Sequence, residues 1–122
     1  MDFDFSGPQP LFVQVADQLR AGIASGALPE GEQVPSTTEI SRTYTINPAT
    51  VLKGMTMLVD EGLLEKRRGL GMFVVPGAVE RLRREERERF ERDCVTDLVA
   101  EARRLGIGCQ ELIGLIEKGY RQ

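Results

Sequence analysis

The chain has 122 residues, 41% of them hydrophobic and 29% charged, which is enough for one domain or one small domain with an appendage. A net charge of −3 argues against a protein that coats nucleic acid indiscriminately, and the absence of histidine all but excludes zinc catalysis and histidine acid–base chemistry. No apolar run approaches the roughly 20 residues of a membrane span, and Met1-Asp2-Phe3-Asp4-Phe5 lacks the basic and apolar regions of a secretory signal, so a cytoplasmic protein is expected.

Phe3 and Phe5 alternate with Asp2 and Asp4, a weak edge-strand pattern. Pro10 suits the first position of a helix, and Leu11, Val15, Leu19 and Ile23, with Phe12 and Ala16, continue as one apolar stripe. Gly26 fits a left-handed stop, and residues 29–32 read as a turn. Ser36-Thr37-Thr38-Glu39 is a capping box, which predicts a short helix to about Thr43 with Ile40 turned inward. After a turn at Thr45-Ile46, Asn47 reads as the next N-cap and Pro48 as the first helical residue. Val51, Met55 and Leu58 form the inward face of this third helix. Gly54 costs about 1 kcal/mol there against alanine, so close packing on a neighbouring helix is expected. Gly62-Leu63-Leu64 ends the helix, and residues 65–75 read as two short strands around a basic, glycine-bearing turn.

Past Pro76-Gly77 the pattern predicts one helix over 78–105, mostly charged over 80–93, with Glu80–Arg84, Glu85–Arg89 and Glu88–Arg92 in the favourable order. Its second half gains a stripe through Phe90, Cys94, Leu98, Ala102 and Leu105, with Val95 and Val99 beside it. Gly106 reads as its C-terminal stop with Ile107 as the hydrophobic contact, and a last helix over about Cys109–Tyr120 presents Leu112, Ile113, Leu115, Ile116 and Tyr120. Cys94 and Cys109 are expected as buried free thiols.

A helix followed by a basic hairpin is how a winged helix-turn-helix module meets DNA, the helix in the major groove and the hairpin tip on the neighbouring backbone or minor groove. The expected fold is therefore α+β, mainly α. A winged helix-turn-helix DNA-binding domain occupies 1–77, and a two-helix C-terminal region over 78–122 serves dimerisation. Residues 1–77 carry nine acidic and six basic side chains, and 78–122 carry ten of each, so the basic character is local to the motif. The amides after Ser36 and Asn47 are candidate phosphate sites. Ala49, Thr50 and Lys53 point out from the start of the third helix, where a methyl can meet thymine and a lysine a guanine edge. Lys66, Arg67 and Arg68 supply cations at the hairpin, and Gly69 and Gly71 allow close backbone approach. Each feature alone has a blander reading: Ser36 and Asn47 as plain caps, Gly69-x-Gly71 as any tight turn, and the three cations as a solvated turn. The joint spacing is what points to DNA.

These residues resemble the GntR family of bacterial transcription regulators. The opening of its first helix is matched by Pro10-Leu11-Phe12-Val13-Gln14, and its connecting segment by Ser25-Gly26-Ala27-Leu28-Pro29-x-Gly31-x-x-Val34-Pro35-Ser36. Gly62-Leu63-Leu64-x-x-Arg67-Arg68-Gly69-x-Gly71-x-Phe73-Val74 matches its wing, and Asn47-Pro48-x-Thr50-Val51 with the short tail is similar to the YtrA-like subfamily. The resemblance implies a homodimeric repressor, often of genes for an ABC-type transporter, with the tail helices as interface. It also implies DNA contacts at Ser36, Thr38, Thr50, Lys53, Arg68 and Gly69. Thr38 stands where the family usually has arginine, as does Pro48 for many members.

The tail is too small for a core of its own, and Leu98, Val99, Leu112, Ile113 and Ile116 would leave a large apolar patch on a monomer. Pairing with a second copy buries it, with Phe90, Cys94 and Tyr120 in the same expected interface. A twofold dimer implies a palindromic site with half-sites about one helical turn apart, or a multiple of that. So short a tail leaves little room for a ligand pocket of roughly 300–1,000 Å³, and any small-molecule effector would sit at the dimer interface. No nucleophile–base pair, metal set or phosphate loop stands out, so neither catalysis nor a cofactor nor a metal is expected. A protein-binding use of the winged fold is the main alternative, and the mixed charges of 80–93 argue against a membrane surface.

Overall fold

The computed structural model describes residues 2–122; Met1, which opens the expected first domain, lies outside them. The elements in order are α1 (Leu11–Ser25), α2 (Thr37–Tyr44), α3 (Pro48–Asp60), β1 (Leu64–Arg67), β2 (Gly71–Val74), α4 (Ala78–Arg89), a π-helical segment (Phe90–Val95), α5 (Thr96–Arg104) and α6 (Cys109–Tyr120). The mainly helical fold with one small sheet is the expected one. Two compact units divide it, one ending at Arg83 and the other beginning at Arg84.

In the first unit the predicted stripes become the core. Val15, Ala16, Leu19 and Ile23 of α1 meet Val51, Met55 and Leu58 of α3, with Ile40 of α2, Leu63 just before the sheet, and Leu64 and Val74 of the sheet closing around them. Leu11 departs from the stripe, being 42% exposed in the first turn of α1, and Pro10 is the N-cap rather than the first helical residue. Gly54 sits where α3 crosses α1. A Cβ there would lie 2.7 Å from the Phe12 carbonyl oxygen and 2.7 Å from Cγ1 of Val15, so only glycine lets the two backbones approach this closely.

The helix ends are set locally, as expected. Ser36 Oγ accepts from the Glu39 amide at 3.0 Å while the Glu39 carboxylate accepts from the Ser36 amide at 3.3 Å. The side chain of Asn47 accepts from the Ala49 amide at 2.8 Å, with Pro48 in the first helical position. Gly62, at φ 77°, stops α3 by donating to the Val59 carbonyl, and buried Leu63 donates to that of Leu58.

Two features of this unit escaped the sequence reading. Asp2–Phe5 form no strand; instead Phe3 is buried, its amide donates to the Tyr44 hydroxyl at 2.8 Å, and Phe3, Phe5 and Tyr44 make an aromatic cluster on α2. The expected turn over 29–32 forms, the Glu32 amide donating to the Pro29 carbonyl at 3.2 Å, but the chain runs on through Gln33 and Val34 as a third segment beside β2. Gln33 bridges Phe73, the Val34 amide donates to the Met72 carbonyl at 2.9 Å, and the Val74 amide donates to that of Glu32 at 3.0 Å. At the start of α4 Ala78 is buried, Val79 and Leu82 pack on the core, and the Val79 amide donates to the Glu30 carboxylate at 3.2 Å.

The second unit also departs from expectation. The helical run over 78–105 is interrupted in hydrogen-bond register by the π segment, and Arg92 pairs with Asp93 at 3.2 Å where Glu88 is the expected partner. Both cysteines are free, as expected, but exposed rather than buried. After α5, Gly106 at φ 73° donates to the Arg103 carbonyl and Ile107 to that of Ala102, the stop expected there. Between α5 and α6 lies an open apolar groove of about 280 Å³, lined by Leu98, Ala102, Leu105, Leu112, Leu115 and Ile116 among others. Glu101 stands on its rim with its carboxyl held below the ordinary range by the hydrogen bond from Arg104.

Candidate nucleic-acid interface

The exposed face of α3 follows from its buried one. With Val51, Gly54, Met55 and Leu58 turned to the core, the 3.6-residue period leaves Ala49 and Lys53 exposed and Thr50 half-buried near the N-terminal end. Lys53 is not a free cation, since its ammonium rests 3.9 Å over the Phe12 ring of α1. This contact holds the side chain against the protein while leaving it exposed.

The amides expected to hold a phosphate at the start of α3 are engaged within the protein. Pro48 has no N–H, the Ala49 amide is taken by Asn47 Oδ1, and the Thr50 and Val51 amides donate to the Asn47 carbonyl. The same cap that starts the helix has used up its free donors. Asn47 is exposed and keeps only its side-chain NH2 for a ligand. At α2 the Glu39 and Ile40 amides are occupied by Ser36, which leaves those of Thr37 and Thr38. Thr38 is exposed; Ser36 is half-buried with its hydroxyl committed to the cap.

The hairpin forms in the register Leu64↔Val74 to Arg67↔Gly71, and the Leu70 amide closes its turn on the Arg67 carbonyl at 3.0 Å. Alternation puts Leu64 and Val74 on the core side and Glu65, Arg67 and Phe73 on the other. Arg67 lies 4.0 Å over the Phe73 ring and pairs with Glu65 at 3.3 Å, so its guanidinium is committed to the sheet. Lys66 and Arg68 are exposed and have no ion-pair partner among the described residues. Gly69, at φ 78°, has open space around its Cα, and Gly71, at φ 125°, is packed against Gln33. A free arginine beside a left-handed glycine at a hairpin tip is suited to meeting a phosphate backbone.

A sequence profile described as bacterial regulatory proteins, gntR family, matches residues 11–74, from the start of α1 to the end of the hairpin. The chain belongs to the GntR family. Like its relatives, this GntR protein is a DNA-binding transcriptional regulator. It is 26% identical over 113 residues to YhcF of Bacillus subtilis, an HTH-type transcriptional regulator, covering 93% of this chain and 92% of YhcF. It is 30% identical over 69 residues to the transcriptional repressor YtrA of the same organism, covering 57% of this chain and 53% of YtrA. Other curated repressors that it matches are longer, and it spans 30% of the length of NagR. Among solved structures, a transcriptional regulator from Oenococcus oeni has the same fold, with a TM-score of 0.77 at 20% identity and 97% of each chain covered. The AraR DNA-binding domain, solved in complex with its operator ORX1, superposes with a TM-score of 0.56 at 26% identity over 62% of this chain and 96% of that one. No helix among the described residues is long and apolar enough to cross a membrane.

Proposed function

We propose that this GntR regulator is a cytoplasmic, homodimeric repressor of the YtrA-like kind, binding a palindromic operator of a transporter-type operon. The observation that carries the DNA reading is the pairing of two exposed features in one unit: the α3 start with Ala49, Thr50 and Lys53, and the hairpin tip with Arg68 and Gly69. Lysine and threonine at the start of α3 read base edges, while Arg68 and the Thr38 amide bind phosphate and fix register. Asn47 contributes its side-chain NH2. Arg67 acts at the interface only if a phosphate draws it from Glu65 and Phe73, and Gly71 acts by shaping the hairpin. The name of YtrA supports repression.

Residues 78–122 serve dimerisation in this reading. Leu98 is 44% exposed and Ile116 42%, with Leu112 half-buried beside them in the α5–α6 groove; Phe90, Cys94, Ile113 and Tyr120 are exposed and Val99 half-buried. So much apolar surface on a 39-residue unit is stabilised by burial against a second copy. Selecting bound sequences from a random duplex pool tests the proposal, with light scattering of the same material. A palindrome bound by a dimer is expected. A lone protomer that enriches no sequence at low ionic strength sinks it.

A further inference from the structure

Gln33 is exposed and belongs to none of the expected contact residues, yet it makes a long-range hydrogen bond to the hairpin turn. Its Nε2 donates to the Leu70 carbonyl at 2.5 Å, across 37 positions of sequence. Gly71 makes room for this: a Cβ on it would lie 2.5 Å from the same Nε2. The Gln33 backbone is fixed independently by its bridge to Phe73 and by the Val34 amide on the Met72 carbonyl. Two residues later Pro35 restricts φ, and Ser36 then opens α2 through its capping box. One short segment thus holds both the start of α2 and the far side of the turn that carries Arg68. That turn is otherwise closed by the Leu70 amide on the Arg67 carbonyl, around a glycine with nothing near its Cα.

We propose that Gln33 is the positioning residue of the wing, holding the Arg68-Gly69-Leu70 turn in place relative to the start of α2 so that both reach the DNA backbone together. The inference rests on the DNA reading above. An unheld turn spreads Arg68 over many positions, and ordering it on DNA then subtracts from affinity.

The test is a double-mutant cycle on a duplex enriched by the parent, followed by fluorescence anisotropy across a salt series. Gln33→Met keeps the length of the side chain and removes its donor. It should weaken binding about three- to tenfold, the range of one neutral hydrogen bond, and flatten the salt slope toward that of Arg68→Ala. In the Arg68→Ala background the same change should do nothing further. A fully additive loss in that background, or a Gln33→Met protein that binds as the parent does, overturns the inference even if Arg68→Ala confirms the DNA reading. Should Gln33→Met melt below the assay temperature, Gln33→Asn, one methylene too short to reach, replaces it. If the parent enriches no DNA at all, the DNA reading fails first. The strut is then judged by the Gly69 amide order parameter, which must fall in the Gln33 variant.

Discussion

The Lys53 ammonium over the Phe12 ring gains about 0.5–1 kcal/mol at an exposed site, whereas a well-made contact to a guanine edge is worth about 1–3 kcal/mol of discrimination. The base contact is the larger effect, so Lys53 is expected to leave the ring on binding. Lys53→Ala should change preference at particular base pairs in a selection experiment. Arg68→Ala should instead weaken binding to all duplexes and reduce the slope of log affinity against log salt by about 0.9. If both variants bind a selected operator as the parent does, the contact assignment is wrong. Thr45 offers a separate test of stability. It is the one non-glycine residue with positive φ among those described, at 54° in the turn between α2 and α3. A β-branched residue is costly in that conformation, and asparagine tolerates it. Thr45→Asn should therefore raise the denaturation midpoint, by about 1 kcal/mol of unfolding free energy with an unchanged m-value.

Gly54 decides how closely α1 and α3 pack, and two effects oppose each other there. Alanine gains about 1 kcal/mol of helix propensity. Its Cβ, however, would meet a backbone oxygen and Val15, neither of which yields without moving a helix, and overpacking of that kind costs about 1–3 kcal/mol. Gly54→Ala should lower stability in chemical denaturation; a rise would show that the crossing is looser than described. The caps and stops of these helices were legible in the sequence because each is built from residues within five positions: Ser36 with Glu39, Asn47 with Ala49, Gly62 and Gly106 with the carbonyls before them. The hairpin was legible for the same reason. The partners of Phe3 and Gln33 lie 41 and 37 residues away, and no local pattern marks them. The π segment was hidden differently, since an apolar stripe records which face a residue occupies and not its hydrogen-bond register.

The two units call for different tests because their apolar surfaces differ. The first unit buries its stripes internally, whereas α6 has no buried residue. In the proposed dimer, Ile116→Glu would place a charge in the apolar groove. It should shift the protein to monomer in light scattering and weaken operator binding, while backbone NMR shows the first unit still folded. A variant that stays dimeric would place the interface elsewhere. The amino-acid order by itself determined the helices, the hairpin, the core face of each and the family motifs, because periodicity, capping and turn chemistry act over short stretches. Only the tertiary structure decided which donors and cations remain free to act. The Lys53 ammonium rests on the Phe12 ring of another helix, and Phe73 of the facing strand occupies Arg67 while Arg68 stays unpaired. Those outcomes depend on which groups meet across the fold, and a cation already held within the protein must leave its partner before it can meet DNA.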